Sequence, residues 1–171
     1  MVEEVFSEEL AFEMITNCDL PSGGSYTRVG TYDFSEMQQM VGELSRLTEM
    51  PVNDLLNAFG KHLFGVFHKS YPQFFEAVSN SFEMLEQVHD VIHEEVKKLY
   101  PDAQLPSFAY NHPNEETLEM VYSSSRRLSP FALGLIQSCI AHFKEDIEVN
   151  VEALPDSDEG EEQTRFVLSR R

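Results

Sequence analysis

Two short stretches carry side chains that could do chemistry. In Tyr122-Ser123-Ser124-Ser125-Arg126, two hydroxyls and a guanidinium recur at every second position, and alternate residues of an extended chain share a face. That spacing predicts an anion clamp. Arginine offers a planar fork of donors suited to a carboxylate or phosphate, and the hydroxyls of Tyr122 and Ser124 can donate to the remaining lone pairs. The same residues also fit a plainer role, exposed polar side chains where a strand enters a turn. The second stretch spans residues 81 to 99, where Phe82, Leu85, Ile92, Val96 and Leu99 mark the apolar stripe of a helix. At about 100° per residue His89 falls within that stripe and His93 on its shoulder, so periodicity alone favours His89. A lone histidine on an apolar face is more often a hydrogen-bonded core residue than a ligand. Four residues apart, the pair could share a transition metal. His89-Asp90-Val91-Ile92-His93 resembles the helix of zinc proteases, but that chemistry needs Glu after the first His and a third ligand, and neither is evident.

Composition narrows the classes. The 171 residues suit one domain with a single core. Cys18 and Cys139 form neither a zinc pattern nor a disulfide framework, which points to a reducing, cytoplasmic setting. Apolar runs are short and the N-terminus lacks a basic lead, so neither a signal peptide nor a transmembrane span is expected. A formal net charge of -18 repels nucleic-acid phosphates and anionic lipid, which argues against both as partners. With 13 Phe, 6 Tyr and no Trp, the interior can simply pack on phenylalanine, and it would also suit a large flat apolar ligand.

The elements that must position the two stretches follow from periodicity. Residues 1 to about 17 read as a partly amphipathic helix without a capping signal. Residues 19 to 32, with Pro21, Gly23, Gly24 and Gly30, read as a loop, and Gly23-Gly24 lacks the Lys-Ser/Thr of a phosphate-binding loop. Helices are expected over 33 to 48, over 51 to 69 with Pro51 in its first turn, over a short segment from Pro72, and over 81 to 99. His62 and His68 have no partner ligand at a metal-binding spacing and read as surface or packing residues. The pattern then alternates. Residues 107 to 112 and 117 to 122 predict two antiparallel strands joined at Pro113-Asn114, Ser129 reads as the cap of a helix with Pro130 behind it, and residues 146 to 154 and 164 to 169 predict a second hairpin around an acidic loop. The expected class is α+β, a helical part over 1 to 100 followed by a strand-strand-helix-strand-strand part over 101 to 171.

An ordered set of segments goes further. His93-Glu94-Glu95-Val96-Lys97-Lys98-Leu99-Tyr100-Pro101-Asp102-Ala103, Leu105-Pro106-Ser107-Phe108, Tyr122 to Arg126 and Phe131-Ala132-Leu133-Gly134-Leu135-Ile136 resemble the haem nitric oxide/oxygen-binding (H-NOX) domains, bacterial relatives of the haem domain of soluble guanylate cyclase. Asn57-Ala58-Phe59-Gly60 and Pro72-Gln73-Phe74-Phe75-Glu76 extend the resemblance to nearly the whole chain.

The resemblance implies a single haem-binding sensor domain over 1 to 171, with haem b between a helical subdomain and a four-stranded antiparallel sheet. The family's axial histidine stands seven positions before the Tyr-Pro that ends its helix, which selects His93 over His89. Tyr122, Ser124 and Arg126 match the family's propionate-binding motif, and Pro106 matches the proline that presses on the porphyrin. Ferrous haem on one histidine leaves a position open for a diatomic gas. In oxygen-binding members a tyrosine at the position of Phe131 donates a hydrogen bond to dioxygen, so Phe131 implies selectivity for nitric oxide. Tyr26 and Tyr32 are other candidate donors. The alternatives are an oxygen sensor, or a haem-free module that keeps the fold and binds a partner. No catalysis is expected, and no kinase, cyclase or phosphodiesterase sequence is fused, so the implied output is a separate histidine kinase or cyclic-di-GMP enzyme. Two departures stand out. The first helix reads as short of the family's Met-Lys-Gly lead, and residues 150 to 171 lack the cysteines that bind zinc in some members.

Overall fold

The structure is a computed structural model that describes residues 1–27 and 30–171, apart from the side chains of His89, Asp90 and Leu99. The expectations for His89 and Leu99 therefore lie outside the described residues. Eight α-helices, one π-helical turn and four strands follow one another among those described.

The helical part begins with α1 (Val2–Val5) and α2 (Glu8–Thr16). A single opening helix was expected. It is broken at Ser7, whose hydroxyl accepts from the Leu10 backbone N–H at 3.1 Å and so caps α2. Helix α3 (Phe34–Thr48) starts on the carboxylate of Asp33, which accepts from Ser35 N at 2.8 Å. Helix α4 (Val52–Ser70) follows, with Pro51 as its extended flanking residue rather than inside its first turn. After the short α5 (Pro72–Glu76), Asn80 caps α6 (Ser81–Gln87). Met14, Leu44 and Leu55 form a small core among these first helices.

The 81–99 segment is not one regular helix. Between α6 and α7 (His93–Leu99) lies a π-helical turn, Val88–Ile92, in which the His93 N–H donates to the Val88 carbonyl five residues back. The residue taken up by this wider turn shifts the phase of all that follows by about 100°. A residue on the shoulder of the α6 stripe is thereby re-aimed at the start of α7, so a stripe drawn with a constant period across the segment misplaces it.

Strands β1 (Ser107–Asn114), β2 (Thr117–Ser124), β3 (Ile147–Leu154) and β4 (Glu162–Arg170) form one antiparallel sheet of order β1-β2-β4-β3, with α8 (Ser129–Phe143) inserted between its hairpins. The expected Pro113-Asn114 turn is displaced. Both residues belong to β1, an edge strand where the missing N–H of Pro113 breaks no ladder, and a register irregularity falls between Asn111 and Asn114. The turn is made by Glu115 and Glu116, closed by Asn114 Oδ1 accepting from Glu116 N at 2.9 Å. Ser129 is likewise the first residue of α8 rather than its cap. Its hydroxyl donates to Glu162 Oε1 at 2.9 Å, latching the helix start to β4.

Alternation along β2 and β4 turns Leu118, Met120, Tyr122, Phe166 and Leu168 into the main core, where they meet Phe82 and Leu85 of α6 and Ile136 and Cys139 of α8. Burial pushes the Cys139 thiol up to about 12, so it is held as an inert apolar group. Helices α4 and α8 cross closely because each offers a glycine at the contact. A Cβ on Gly60 would meet the Phe131 carbonyl oxygen at 2.2 Å, and one on Gly134 would meet that of Asn57 at 2.2 Å. Asn57 Nδ2 reaches across the crossing to Gln137 Oε1 at 3.3 Å.

Candidate functional site

Tyr122 and Ser124 share the core face of β2, as the alternation requires, and both are buried. Arg126 lies two residues past the Ser124 side chain, in the turn that leaves the strand. Ser124 Oγ accepts from the Arg126 N–H at 3.2 Å, and the Tyr122 hydroxyl accepts from the Leu128 N–H at 3.1 Å. Arg127 takes the left-handed conformation between them, with φ 54°, which returns the chain onto Tyr122. Burial raises the Tyr122 hydroxyl above its ordinary pKa, opposed by hydrogen bonds with Ser124 and with Leu128 N. The hydroxyl stays protonated, with its O–H available as a donor.

Arg126 is the unbalanced member. Among the described residues its buried Nε has no hydrogen-bond partner, and no carboxylate lies within ion-pair distance of its guanidinium. Arg127, by contrast, pairs with Asp156 on the surface. A buried donor on a charged group without a partner is costly. The Arg126 side chain is therefore a buried donor able to receive an anion, next to Ser124, whose hydroxyl already accepts from the Arg126 N–H.

The histidine and the clamp are joined through aromatic rings. The His93 ring lies 6.2 Å from that of Phe108, and Phe108 lies 5.7 Å from Tyr122 in an edge contact. His93 Nδ1 is shielded from solvent. Position α6, and with it the π turn and His93, is fixed from the other half of the chain by Glu145, which accepts from Ser81 N at 2.7 Å. Pro106 is half-buried, immediately before β1. A groove at the clamp's outer end is lined by Lys97, Ala103, Gln104, Leu105, Ser124 and Ser125 among others. Phe131 stands elsewhere, stacked at a tilt on Phe59 at 5.3 Å at the α4–α8 crossing.

Residues 1–151 match the family model for haem-NO-binding proteins. The chain belongs to the H-NOX family. It is similar, at 36% identity and a TM-score of 0.90, to the Fe(II) unliganded H-NOX protein from K. algicida, with 99% of this chain and 90% of that one covered. The IWP-051-bound H-NOX from Shewanella woodyi, in the Fe(II)CO state, matches at 34% identity and a TM-score of 0.81, over 99% and 88% of the two chains. An H-NOX protein from S. oneidensis in the Fe(II)NO state matches at 26% identity and 0.86, over 100% and 93%. H-NOX domains are haem-based gas sensors, and the mixed helix-and-sheet fold is the one expected from the sequence.

The residues present fit a haem. Its carboxylates are the kind of anion that the Arg126 donor lacks, its flat apolar face suits the ring series His93, Phe108 and Tyr122, and His93 contributes an imidazole to that series. Three features of the site escaped the sequence. Phe34, one apolar residue of the helix expected over 33 to 48, has the Arg126 guanidinium carbon 4.8 Å from its ring centroid. The π turn before His93 has no compositional signature. The Gly60–Gly134 contact was visible only as two glycines in helical patterns, a signal that asks for a packing reason without giving the partner.

Proposed function

We propose that this H-NOX domain is a nitric oxide sensor that acts by binding rather than catalysis, with His93 as the axial ligand and Tyr122, Ser124 and Arg126 holding a propionate. The observation that carries the proposal is the buried, partnerless Nε–H of Arg126 beside two hydroxyls. When bound, the cofactor would supply a ferrous iron able to take up a diatomic gas. Everything else is the work of the chain. Arg126 and the hydroxyls fix one edge of the cofactor, and Pro106, ahead of β1, bears on its face. Phe131 offers no hydrogen-bond donor. Dioxygen needs such a donor because it takes up negative charge on iron, whereas nitric oxide depends on one little. The two other candidate donors are engaged locally: the Tyr26 hydroxyl donates to Glu36 of α3 at 2.9 Å, and the Tyr32 hydroxyl lies against Thr27, accepting from its N–H at 2.8 Å and standing 3.3 Å from its hydroxyl.

His93 begins α7 directly after the π turn, so a change of tension on its ring acts at the irregular joint of the α6–α7 segment. Were a haem held by His93, a gas ligand that changed the pull on that ring would favour a second position of α7, which a partner would read. Only differential affinity for the two positions shifts the balance. The partner is a separate histidine kinase or cyclic-di-GMP enzyme, and the two free cysteines, Cys18 and Cys139, suit a reducing cytoplasm.

The test is the visible spectrum of the purified, reduced protein. It should show an intense Soret band that stays in its unliganded form on first exposure to air and shifts at once with nitric oxide. A stable air-dependent shift would make the protein an oxygen sensor. Absence of the band after haem reconstitution would make it a haem-free module.

A further inference from the structure

Arg126 stands two residues past the end of β2, and among the described residues no carboxylate lies within ion-pair distance of its guanidinium. What lies against it is Phe34, the first residue of α3, with the guanidinium carbon 4.8 Å from the ring centroid. A guanidinium can lie over an aromatic face and still present its donors around its edge, so the ring contact and a bidentate carboxylate contact do not compete. A carboxylate in the place of Phe34 would instead consume the donors. Asp33, next to Phe34, shows the same division. Its Oδ1 is committed to Ser35 N at 2.8 Å as the cap of α3, so it lends a negative field to Arg126 without occupying the guanidinium.

We propose that Phe34 is a positioning residue of the anion clamp, holding the Arg126 guanidinium by its face so that its edge is turned to the haem carboxylate. This rests on the clamp reading of Tyr122, Ser124 and Arg126. It also gives α3 a role in cofactor retention that its place in the helical part does not announce, because the first turn of α3 forms one wall of a site otherwise built by β2.

The measurement is the rate of haem loss from the holoprotein to an excess of a haem-scavenging apoprotein, with far-UV circular dichroism confirming the fold. Phe34→Leu should lose haem about 2- to 5-fold faster, the range a partly exposed cation–π contact supports. Phe34→Tyr, which keeps the aromatic face, should stay close to the native rate. In an Arg126→Ala background the Phe34→Leu change should add nothing, and neither should it matter in protein reconstituted with haem dimethyl ester, whose carboxylates are blocked. If Phe34→Leu does not fold, Phe34→Met, unbranched and flexible, fills the site adaptably without a ring and answers the same question. The inference is overturned if Phe34→Leu leaves the rate unchanged, or if it speeds loss equally in the Arg126→Ala background, since that is the mark of a packing role alone. A failure of the clamp reading looks different: Arg126→Ala itself would then leave haem loss unchanged.

Discussion

Replacing Gly60 by alanine tests the close crossing of α4 and α8, and Gly65 in the same helix supplies the control. A Cβ on Gly60 would lie 2.2 Å from the Phe131 carbonyl oxygen, 3.1 Å from Leu135 N and 3.2 Å from the Gly134 Cα, all backbone atoms that no rotamer change can move aside. Since Cβ contacts under 3.0 Å essentially do not occur, α4 and α8 must part by about 0.8 Å or more at the crossing. A Cβ on Gly65 meets nothing within 4 Å. Both substitutions gain about 1 kcal/mol of helix propensity, so the difference between them isolates the overpacking cost, at the upper end of about 1 to 3 kcal/mol because the obstruction is backbone. Gly65→Ala should thus stabilise by up to about 1 kcal/mol and Gly60→Ala destabilise by about 2 kcal/mol. Urea unfolding of the reduced holoprotein, at equal haem saturation and followed by far-UV circular dichroism, measures both with an unchanged slope. Equal midpoints for the two variants would refute the close crossing. The same displacement carries Phe131, so Gly60→Ala should also alter the visible spectrum, whereas Gly65→Ala should not.

If Arg126 holds a haem carboxylate, Arg126→Ala removes a charge-assisted hydrogen bond worth about 1.5 to 3 kcal/mol, and haem transfer to a scavenging apoprotein should quicken by about 10- to 100-fold. Phe131→Tyr places a hydroxyl where the native ring has none and should slow oxidation of the reduced protein in air, read from the decay of its Soret band; no change would mean that the ring does not face the gas. The pKa of His142 is lowered by partial burial and then by the neighbouring His68, whose ring lies 4.5 Å away. The folded state therefore favours the neutral ring and the unfolded chain binds more protons below its ordinary pKa of about 6.5. That contribution to stability is present above this value and lost as the pH falls through it, so between about pH 7.5 and 5.5 the native protein should lose more unfolding free energy than His142→Gln.

The sequence carried the architecture where patterns are periodic and the chemistry where residues are adjacent. Alternation in residues 117 to 122 placed Tyr122 and Ser124 on one face, and that face is the buried one. Capping was less legible, because the same letter serves several ends: Ser7 caps a helix, while Ser129, with better credentials, bonds to Glu162 instead. His93 shows the limit of periodicity. A constant period over 81–99 favours His89, whereas the family resemblance selects His93, and the π turn that breaks the period lies just before His93. Phe34 was unreadable for another reason. It stands 92 positions before Arg126, and nothing local distinguishes an apolar residue in the first turn of a helix from a ring that carries a guanidinium across the fold.

The most direct test of the account is the iron–imidazole stretching band in the resonance Raman spectrum of the reduced, unliganded protein. With His93 as the axial ligand, His93→Gly should lose the band together with most of its haem, and added imidazole should restore both. Nitrogen-15 imidazole should then shift the restored band to lower frequency. His89→Ala should keep the native band. A band that survives His93→Gly without imidazole, or that disappears in His89→Ala alone, would contradict the assignment of the axial ligand and with it the switch placed at the π turn.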